Sequence, residues 1–90
     1  MPRLSDDQAR ERADALQGWE LHGTFIRKRY TFDGFKGAMA FVNRVAALAE
    51  EADHHPDFLV EYDKVTLTLT SHDSGGLTER DFRLARKIDG

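Results

Sequence analysis

Cysteine is absent from this 90-residue chain, and proline occurs only twice. Without cysteine there is no disulfide framework, no thiolate metal site and no cysteine nucleophile, so nothing in the sequence needs an oxidising compartment. No apolar run approaches the roughly 20 residues of a membrane-spanning helix, and the first residues lack the apolar stretch of a signal peptide. We therefore expect a cytoplasmic protein that is neither exported nor bound to a membrane.

An excess of positive charge is also missing. The formal net charge is -3, and the charged residues, 32% of the total, are spread along the chain. This charge distribution argues against nucleic acid as a direct ligand. The length and the apolar content of 40% fit one domain over residues 1–90. Because so small a core has no disulfide to support it, we expect a homodimer or a homotetramer.

The first half of the chain contains the signals of two helices and a hairpin. Ser5 and Gln8 have the spacing of a capping box, which predicts a helix from about Asp6 to Leu16. Trp19–His22 and Ile26–Phe32 alternate apolar and polar residues and predict a hairpin around Gly23-Thr24. Asp33 is expected to cap a second helix that ends before Pro56. Its apolar stripe should face the sheet and comprises Phe35, Ala38, Met39, Val42, Val45, Ala46, Ala49 and Ala52.

The second half predicts another hairpin and a third helix. The strands are Phe58–Tyr62 and Val65–Thr70, joined by Asp63-Lys64. Their core face should consist of Phe58, Val60, Tyr62, Val65, Leu67 and Leu69. After the turn Ser74-Gly75-Gly76, Thr78 should cap a helix with Phe82, Ala85 and Ile88 on its buried side. The order αββαββα predicts an α+β two-layer sandwich in which three helices cover one face of a four-stranded antiparallel sheet.

Three of the four histidines, His54, His55 and His72, fall at the outer ends of the second hairpin. If Tyr62 pairs with Val65, then His55 comes opposite His72 at one rim of the sheet. Neighbouring residues of a regular element point in different directions, so His54 and His55 could both flank a ligand only in an irregular junction before Pro56. Imidazole titrates near neutrality and suits proton transfer. The cluster therefore predicts an acid-base site.

Other interpretations of these polar residues stay open. Any one histidine could be a solvated or capping imidazole, although three converging histidines favour a functional site. The adjacent pair His54-His55 lacks the spacing of a helical metal pair, so we expect no metal. Asp81, three residues after Thr78, could complete a capping box or orient a histidine. Gly75-Gly76 lacks the spacing and lysine of a phosphate loop, which favours a flexible turn.

Several stretches together resemble the pterin-4a-carbinolamine dehydratase family: Asp53–Asp57, Tyr62–Val65, Ser71–Asp73 and Gly76–Asp81. Similarity around Gly18-Trp19, Tyr30–Phe32 and Phe35–Glu50 extends it over nearly the whole chain. The resemblance implies the αββαββα fold and a hydro-lyase activity, the dehydration of 4a-hydroxytetrahydrobiopterin or a related pterin to the quinonoid dihydropterin. That step recycles the pterin oxidised by aromatic amino acid hydroxylases. The resemblance also implies that neither a metal nor an organic cofactor is needed, since the pterin is the substrate.

The resemblance also implies the residues of the site. His54, His55 and His72 would line the pterin pocket, and we assign acid-base work to His54 and His72 and orientation to His55. Further substrate-binding or orienting residues would be Asp53, Asp57, Phe58, Ser71, Asp73 and Asp81. Phe58 departs from the tryptophan common in the family but keeps an aromatic wall.

A second class of function has to be weighed, because fold alone does not decide function. Some relatives of this family act as dimerisation cofactors of a homeodomain transcription factor or as Rubisco assembly factors. A non-catalytic interaction protein is therefore the alternative. The intact set of three histidines favours the dehydratase, since a scaffold has no use for imidazoles at one rim.

Overall fold

The structure, a computed structural model, describes residues 2–90. Its elements are α1 (Asp6–Asp14), β1 (Glu20–His22), β2 (Phe25–Thr31), α2 (Phe35–Ala52), β3 (Asp57–Glu61), β4 (Lys64–Leu69) and α3 (Glu79–Asp89). A short 3-10 turn, His72–Ser74, lies between β4 and α3. The predicted order αββαββα is confirmed. Within the described range no helix combines the length and the apolar character needed to cross a membrane.

The four strands form one antiparallel sheet in the order β1-β2-β4-β3, so β1 and β3 are its edges. Alternation along β2 and β4 separates the two faces of the sheet. One face carries Ile26, Val65, Leu67 and Leu69, all without exposure to solvent, in one cluster with buried residues of the helices such as Val45 and Phe82. The other face carries Arg27, Arg29, Thr66 and Thr68. The two-layer α+β architecture is therefore as predicted.

Capping explains where α1 and α3 begin. The Ser5 hydroxyl accepts from the Gln8 amide at 3.2 Å, and the Ser5 amide donates to the Gln8 side chain at 2.9 Å, which completes the expected box. Helix α1 ends at Asp14 rather than at Leu16. Thr78 caps α3 as predicted.

Helix α2 begins later than predicted, because Gly34 and not Asp33 is its N-cap. Just before it, the Phe32 amide donates to the Asp63 carbonyl at 2.8 Å, so the chain is still bonded to the second hairpin at this point. Its buried residues are Ala38, Phe41, Val45 and Ala49. Phe41 was missed, and Phe35 and Ala46 are exposed instead of buried: Phe35 lies in the first turn, and Ala46 lies one residue beyond the buried line.

The second hairpin has a different register from the one predicted. Glu61 pairs with Lys64 and Val60 with Val65, so the turn is Tyr62-Asp63 and each β3 residue is paired two positions from its expected partner. Tyr62 adopts a left-handed backbone conformation with φ 55°, which belongs to a turn and not to a strand. Its side chain is 68% exposed. The prediction of Tyr62 in the core is wrong.

The same hairpin shows how far the core extends. Val65, Leu67 and Leu69 of β4 are buried as predicted. On β3, Val60 is only half-buried and Phe58 is 36% exposed, although both share the face of Val65 and Leu67. Strand β3 is an edge strand, so the helices cover its core-facing side chains less completely than those of β4.

Asp89 fixes the end of α3 against the sheet. Its carboxylate accepts from the Trp19 indole at 2.8 Å, the Lys28 ammonium at 3.1 Å and the Tyr30 hydroxyl at 2.5 Å. Burial opposes ionisation of Asp89, but these hydrogen bonds and the Lys28 charge outweigh it and hold its pKa below the usual value. Burial and the neighbouring Asp89 raise the pKa of Tyr30. The helix that carries Asp81 is thereby held in place at its far end.

Candidate acid-base site

The junction between α2 and β3 separates two adjacent histidines. Helix α2 ends where Asp53 turns into the left-handed conformation with φ 50°, and the His54 amide donates to the Ala49 carbonyl at 3.0 Å. His54 then points inward and is only 8% exposed. The His55 side chain is 57% exposed and lies 3.2 Å from the Glu50 carboxylate. The irregular junction expected before Pro56 is present, but it sends the two imidazoles into different surroundings.

His54 is bonded to a fully buried carboxylate. Its Nε2 lies 2.5 Å from Oδ1 of Asp81, whose exposure is 0%. A carboxylate removed from water needs hydrogen-bond donors to offset the cost of its desolvation. Asp81 has them, because its Oδ2 accepts from the Ser71 hydroxyl and the Thr78 amide, each at 2.9 Å. Three donors therefore converge on one carboxylate.

Asp81 consequently performs both roles that the sequence left open. Its bond to the Thr78 amide closes the capping box of α3, and its bond to His54 fixes that imidazole. Through Ser71 it also holds the residue next to His72. The two segments that carry His54 and His72 are thus joined through one side chain.

His72 lies in the 3-10 turn and is exposed. It borders a concavity of about 330 Å³, whose wall also contains Asp57. The other lining residues are Thr24, Phe25, Thr68, Thr70, Gly75 and Gly76. The structure therefore brings His72 together with Asp57, one of the residues expected to orient a substrate.

The structure does not place the three histidines around one concavity. His54 borders a separate concavity of about 240 Å³, and His55 lines neither of the two. The predicted pairing of His55 opposite His72 is wrong, because it rested on the hairpin register that the Tyr62-Asp63 turn shifts by two residues. Asp81 and Ser71, and not strand pairing, connect His54 to the turn of His72.

The remaining residues expected at the site have varied surroundings. Ser71 is buried and bonded to Asp81 and Thr78. Asp73 accepts from Arg80 at 3.2 Å and 3.4 Å. Asp53 is the exposed C-cap of α2, and Phe58 stands on edge strand β3 opposite Leu67. Ser71 and Asp81 thus support His54, whereas neither Asp53 nor Phe58 forms a hydrogen bond or an ion pair with its side chain.

Sequence reasoning missed the basic residues beside His54. Arg80, Arg83 and Lys87 line its concavity together with Ala52 and Leu84. Their spacing of three and four residues puts them on one side of α3, and this spacing is a signal that the sequence did contain. Among residues 2–90, no three histidine, aspartate or glutamate side chains are grouped closely enough to hold a metal ion together.

Comparison with known proteins first identifies the class. The crystal structure of a transcriptional coactivator/pterin dehydratase from Brucella melitensis matches with a TM-score of 0.92 and 35% identity over 97% of this chain and 95% of that one. A pterin dehydratase-like protein described as a RuBisCO assembly factor in the alpha-carboxysome matches with a TM-score of 0.65 and 26% identity, over 79% and 82% of the two chains. The fold is that of the pterin dehydratases.

The family follows from the sequence comparisons. The family model for pterin 4 alpha carbinolamine dehydratase matches residues 2–90. A relative from Thermomicrobium roseum, which carries the provisional name pterin-4-alpha-carbinolamine dehydratase, is 51% identical over 98% of this chain and 95% of its own. A relative from a Roseiflexus species with the same provisional name is 53% identical over 97% and 94%. The chain belongs to the pterin 4 alpha carbinolamine dehydratase family.

Proposed function

We propose that this protein is a hydro-lyase that dehydrates a 4a-hydroxytetrahydropterin to the quinonoid dihydropterin, and so recycles the pterin of aromatic amino acid hydroxylases. Membership of the family supports the reaction. The observation that carries its assignment to this site is the bonding of Asp81, which reaches His54 through one oxygen and Ser71, the neighbour of His72, through the other. A pterin would have to span the two separate concavities, one bordered by His54 and the other by His72, to meet both imidazoles.

The reaction needs one proton given and one taken. The 4a-hydroxyl must be protonated so that the C4a–O bond breaks and water leaves, and N5 must lose its proton so that a double bond forms between N5 and C4a. Groups that titrate near neutrality serve both steps at neutral pH. Because the step consists of two proton transfers and the loss of water, with no net oxidation or reduction, this chemistry requires neither a metal nor an organic cofactor.

His54 is the better placed of the two as the base. With Nε2 bonded to the Asp81 carboxylate, that nitrogen carries the ring proton and Nδ1 presents its lone pair. When Nδ1 accepts the N5 proton, the carboxylate compensates the positive charge that forms on the ring. His72 is exposed in the 3-10 turn, so it can exchange protons with solvent and supply the proton to the leaving hydroxyl. Each histidine then returns to its starting state by exchange with water.

The other residues of the site would bind and orient the pterin. Asp57 offers a carboxylate that can accept from the amino and N–H groups of the pterin ring, on the wall shared with His72. His55 and Asp73 stand in the two segments that face the substrate and carry exposed polar groups. Asp53 and Phe58 flank the junction, one before the histidines and one after Pro56, and would shape its outer wall.

We also propose that the chain forms a homodimer or homotetramer. Among residues 2–90, four large apolar or aromatic side chains are substantially exposed: Phe35 at 53%, Phe58 at 36%, Leu59 at 54% and Tyr62 at 68%. The last three lie on or next to the edge strand β3, whose outer backbone groups have no partner strand within residues 2–90. Light scattering should give twice or four times the mass of the 10.3 kDa chain, and a monomer would contradict this proposal.

The activity is tested by generating the 4a-hydroxytetrahydropterin in situ with a phenylalanine hydroxylase and following its decay in the ultraviolet. The native protein should accelerate the decay, and His54→Gln and His72→Gln should each lose about 10²–10⁴ of that acceleration. His22→Gln is the matched control, since His22 is an exposed histidine of β1 outside the site.

Three other assay results would each lead to a different conclusion about the function. Activity that survives both site substitutions would remove the histidines from the mechanism. A native protein that binds a pterin without accelerating its decay would instead support an interaction or regulatory role. If the native protein neither bound a pterin nor accelerated its decay, the pterin function would be wrong and a protein partner would be the remaining candidate.

A further inference from the structure

The concavity beside His54 has a cationic wall. Arg80, Arg83 and Lys87 line it on the side of α3, and the apolar Ala52 and Leu84 complete it around the imidazole. Its volume of about 240 Å³ leaves room for a small charged group. No carboxylate is among its lining residues. Positive charge is therefore concentrated there, although the chain as a whole carries a net charge of -3.

Most of this charge is not neutralised by the protein. Arg83 and Lys87 form no ion pair with any residue of the described range 2–90. Arg80 is bonded to Asp73, but only through Nη2. Its Nε is buried and has no acceptor among the described residues. A buried donor without an acceptor is unfavourable, so an anionic oxygen in the concavity would offer the Arg80 guanidinium a second partner.

The cationic side chains Arg80, Arg83 and Lys87 share one face of α3. Residues 80, 83 and 87 are three and four apart, so they follow one face of the helix over two turns. Asp81, which is bonded to His54, belongs to the same helix. A molecule in contact with His54 would therefore lie beside these cations of α3 as well.

We propose that this concavity holds an anionic substituent of the substrate, so that the preferred pterin carries a carboxylate or phosphate on its C6 side chain. This inference rests on the proposed dehydratase function and adds the substrate class to it. Arg83 and Lys87 are the specificity-determining residues, because they are the cations of this wall that form no ion pair with an acidic side chain of residues 2–90. Arg80 contributes a further donor while holding the turn of His72 through Asp73.

The test measures binding of two stable, fluorescent pterins that differ in charge at C6, 6-carboxypterin and 6-methylpterin. Partly exposed ion pairs each change an equilibrium by about 1.4- to 5-fold, so two of them should make the native protein bind 6-carboxypterin about 10-fold more tightly. Arg83→Ala/Lys87→Ala should lose this preference and still bind 6-methylpterin as before. The preference of the native protein should also shrink at high salt, because mobile ions screen the attraction.

Arg86→Ala is the matched control, since Arg86 is an exposed cation of the same helix that does not line this concavity. It should keep the preference of the native protein. Equal affinity of the native protein for the two pterins would overturn the inference and leave the dehydratase proposal intact. A preference that survives Arg83→Ala/Lys87→Ala would overturn the assignment of these residues. If neither pterin bound, the failure would lie with the proposed function itself.

Discussion

Asp81→Asn should separate the structural role of this carboxylate from its effect on His54. The substitution keeps the size of the side chain but replaces one oxygen by an amide nitrogen that donates instead of accepting. Oδ2 accepts from both Ser71 and Thr78, so an amide nitrogen in that place would face the Thr78 N–H. The amide oxygen should therefore take the Oδ2 position, and its nitrogen should face Nε2 of His54.

This arrangement changes the tautomer of His54. Facing a donor, Nε2 must present its lone pair, so the ring proton moves to Nδ1 and the nitrogen proposed as the base is blocked. General acid-base catalysis of this kind contributes about 10²–10⁴ in rate, so kcat should fall by about that factor. The folded state loses one charge-assisted hydrogen bond in a buried place, which should cost about 1–3 kcal/mol of unfolding free energy.

The two effects are measured separately. The decay of the 4a-hydroxytetrahydropterin gives kcat, and thermal unfolding gives stability, with each 1 kcal/mol lowering Tm by roughly 4–8 °C for a chain of this size. Thr78→Ala is the control: it removes a helix cap worth about 1 kcal/mol and the hydroxyl contact with Ser71, but it leaves the His54–Asp81 bond in place. It should lower Tm and keep kcat within about 3-fold of the native value.

Two results would refute this reasoning. A folded Asp81→Asn protein that keeps kcat within about 3-fold of the native value would show that the tautomer of His54 does not matter. An equal loss of kcat in Thr78→Ala would show that general loosening of α3, and not the bond to His54, lowers the activity.

Three further predictions follow from other parts of the molecule. Asp89→Asn should lower the unfolding free energy by about 1–2 kcal/mol at neutral pH, since three donors lose a charged acceptor. Because the pKa of Asp89 is lower in the folded state, its contribution is present above the unfolded value of about 4 and disappears as the pH falls through the folded pKa. Urea unfolding of both proteins from pH 7 to pH 2 should therefore show the difference shrinking at the acid end, and a constant difference would contradict this origin. Tyr62→Asn removes one of the exposed aromatic side chains proposed to be covered in the oligomer, so the oligomer should dissociate at a higher protein concentration in a light-scattering dilution series; unchanged dissociation would place Tyr62 outside the interface. His55→Gln should raise KM while changing kcat by less than about 10-fold, as expected of an exposed orienting residue, and a larger fall in kcat would make it an acid or base.

The fold was predictable because its signals are local. The capping boxes at Ser5 and Thr78, the alternation along β2 and β4 and the apolar spacing of α2 each depend on a few neighbouring residues. Prediction failed where a long-range contact or an unusual backbone conformation intervened. The bond from the Phe32 amide to the Asp63 carbonyl accompanies the late start of α2, and the left-handed Tyr62 sets the register of the second hairpin.

The candidate site was predictable in part. The sequence singled out His54 and the acid at position 81, but it could not decide whether Asp81 caps a helix or orients a histidine. The structure shows that one carboxylate does both, because its two oxygens point to different partners. The predicted position of His55 opposite His72 is wrong, because it depended on the predicted hairpin register. The spacing of Arg80, Arg83 and Lys87 in the sequence already indicates that they share one helix face. Only the packing of α3 shows that this face lies beside His54.

The sequence by itself determined the helices and strands, their order and the family, since these depend on local preferences and on motifs that are contiguous in the chain. Tertiary structure alone decided which groups share an environment. His54 and Asp81 are 27 residues apart and become a buried pair only because α3 packs against the end of α2. A buried charge is stable only where all its donors meet, and that meeting is set by three-dimensional packing and not by spacing along the chain.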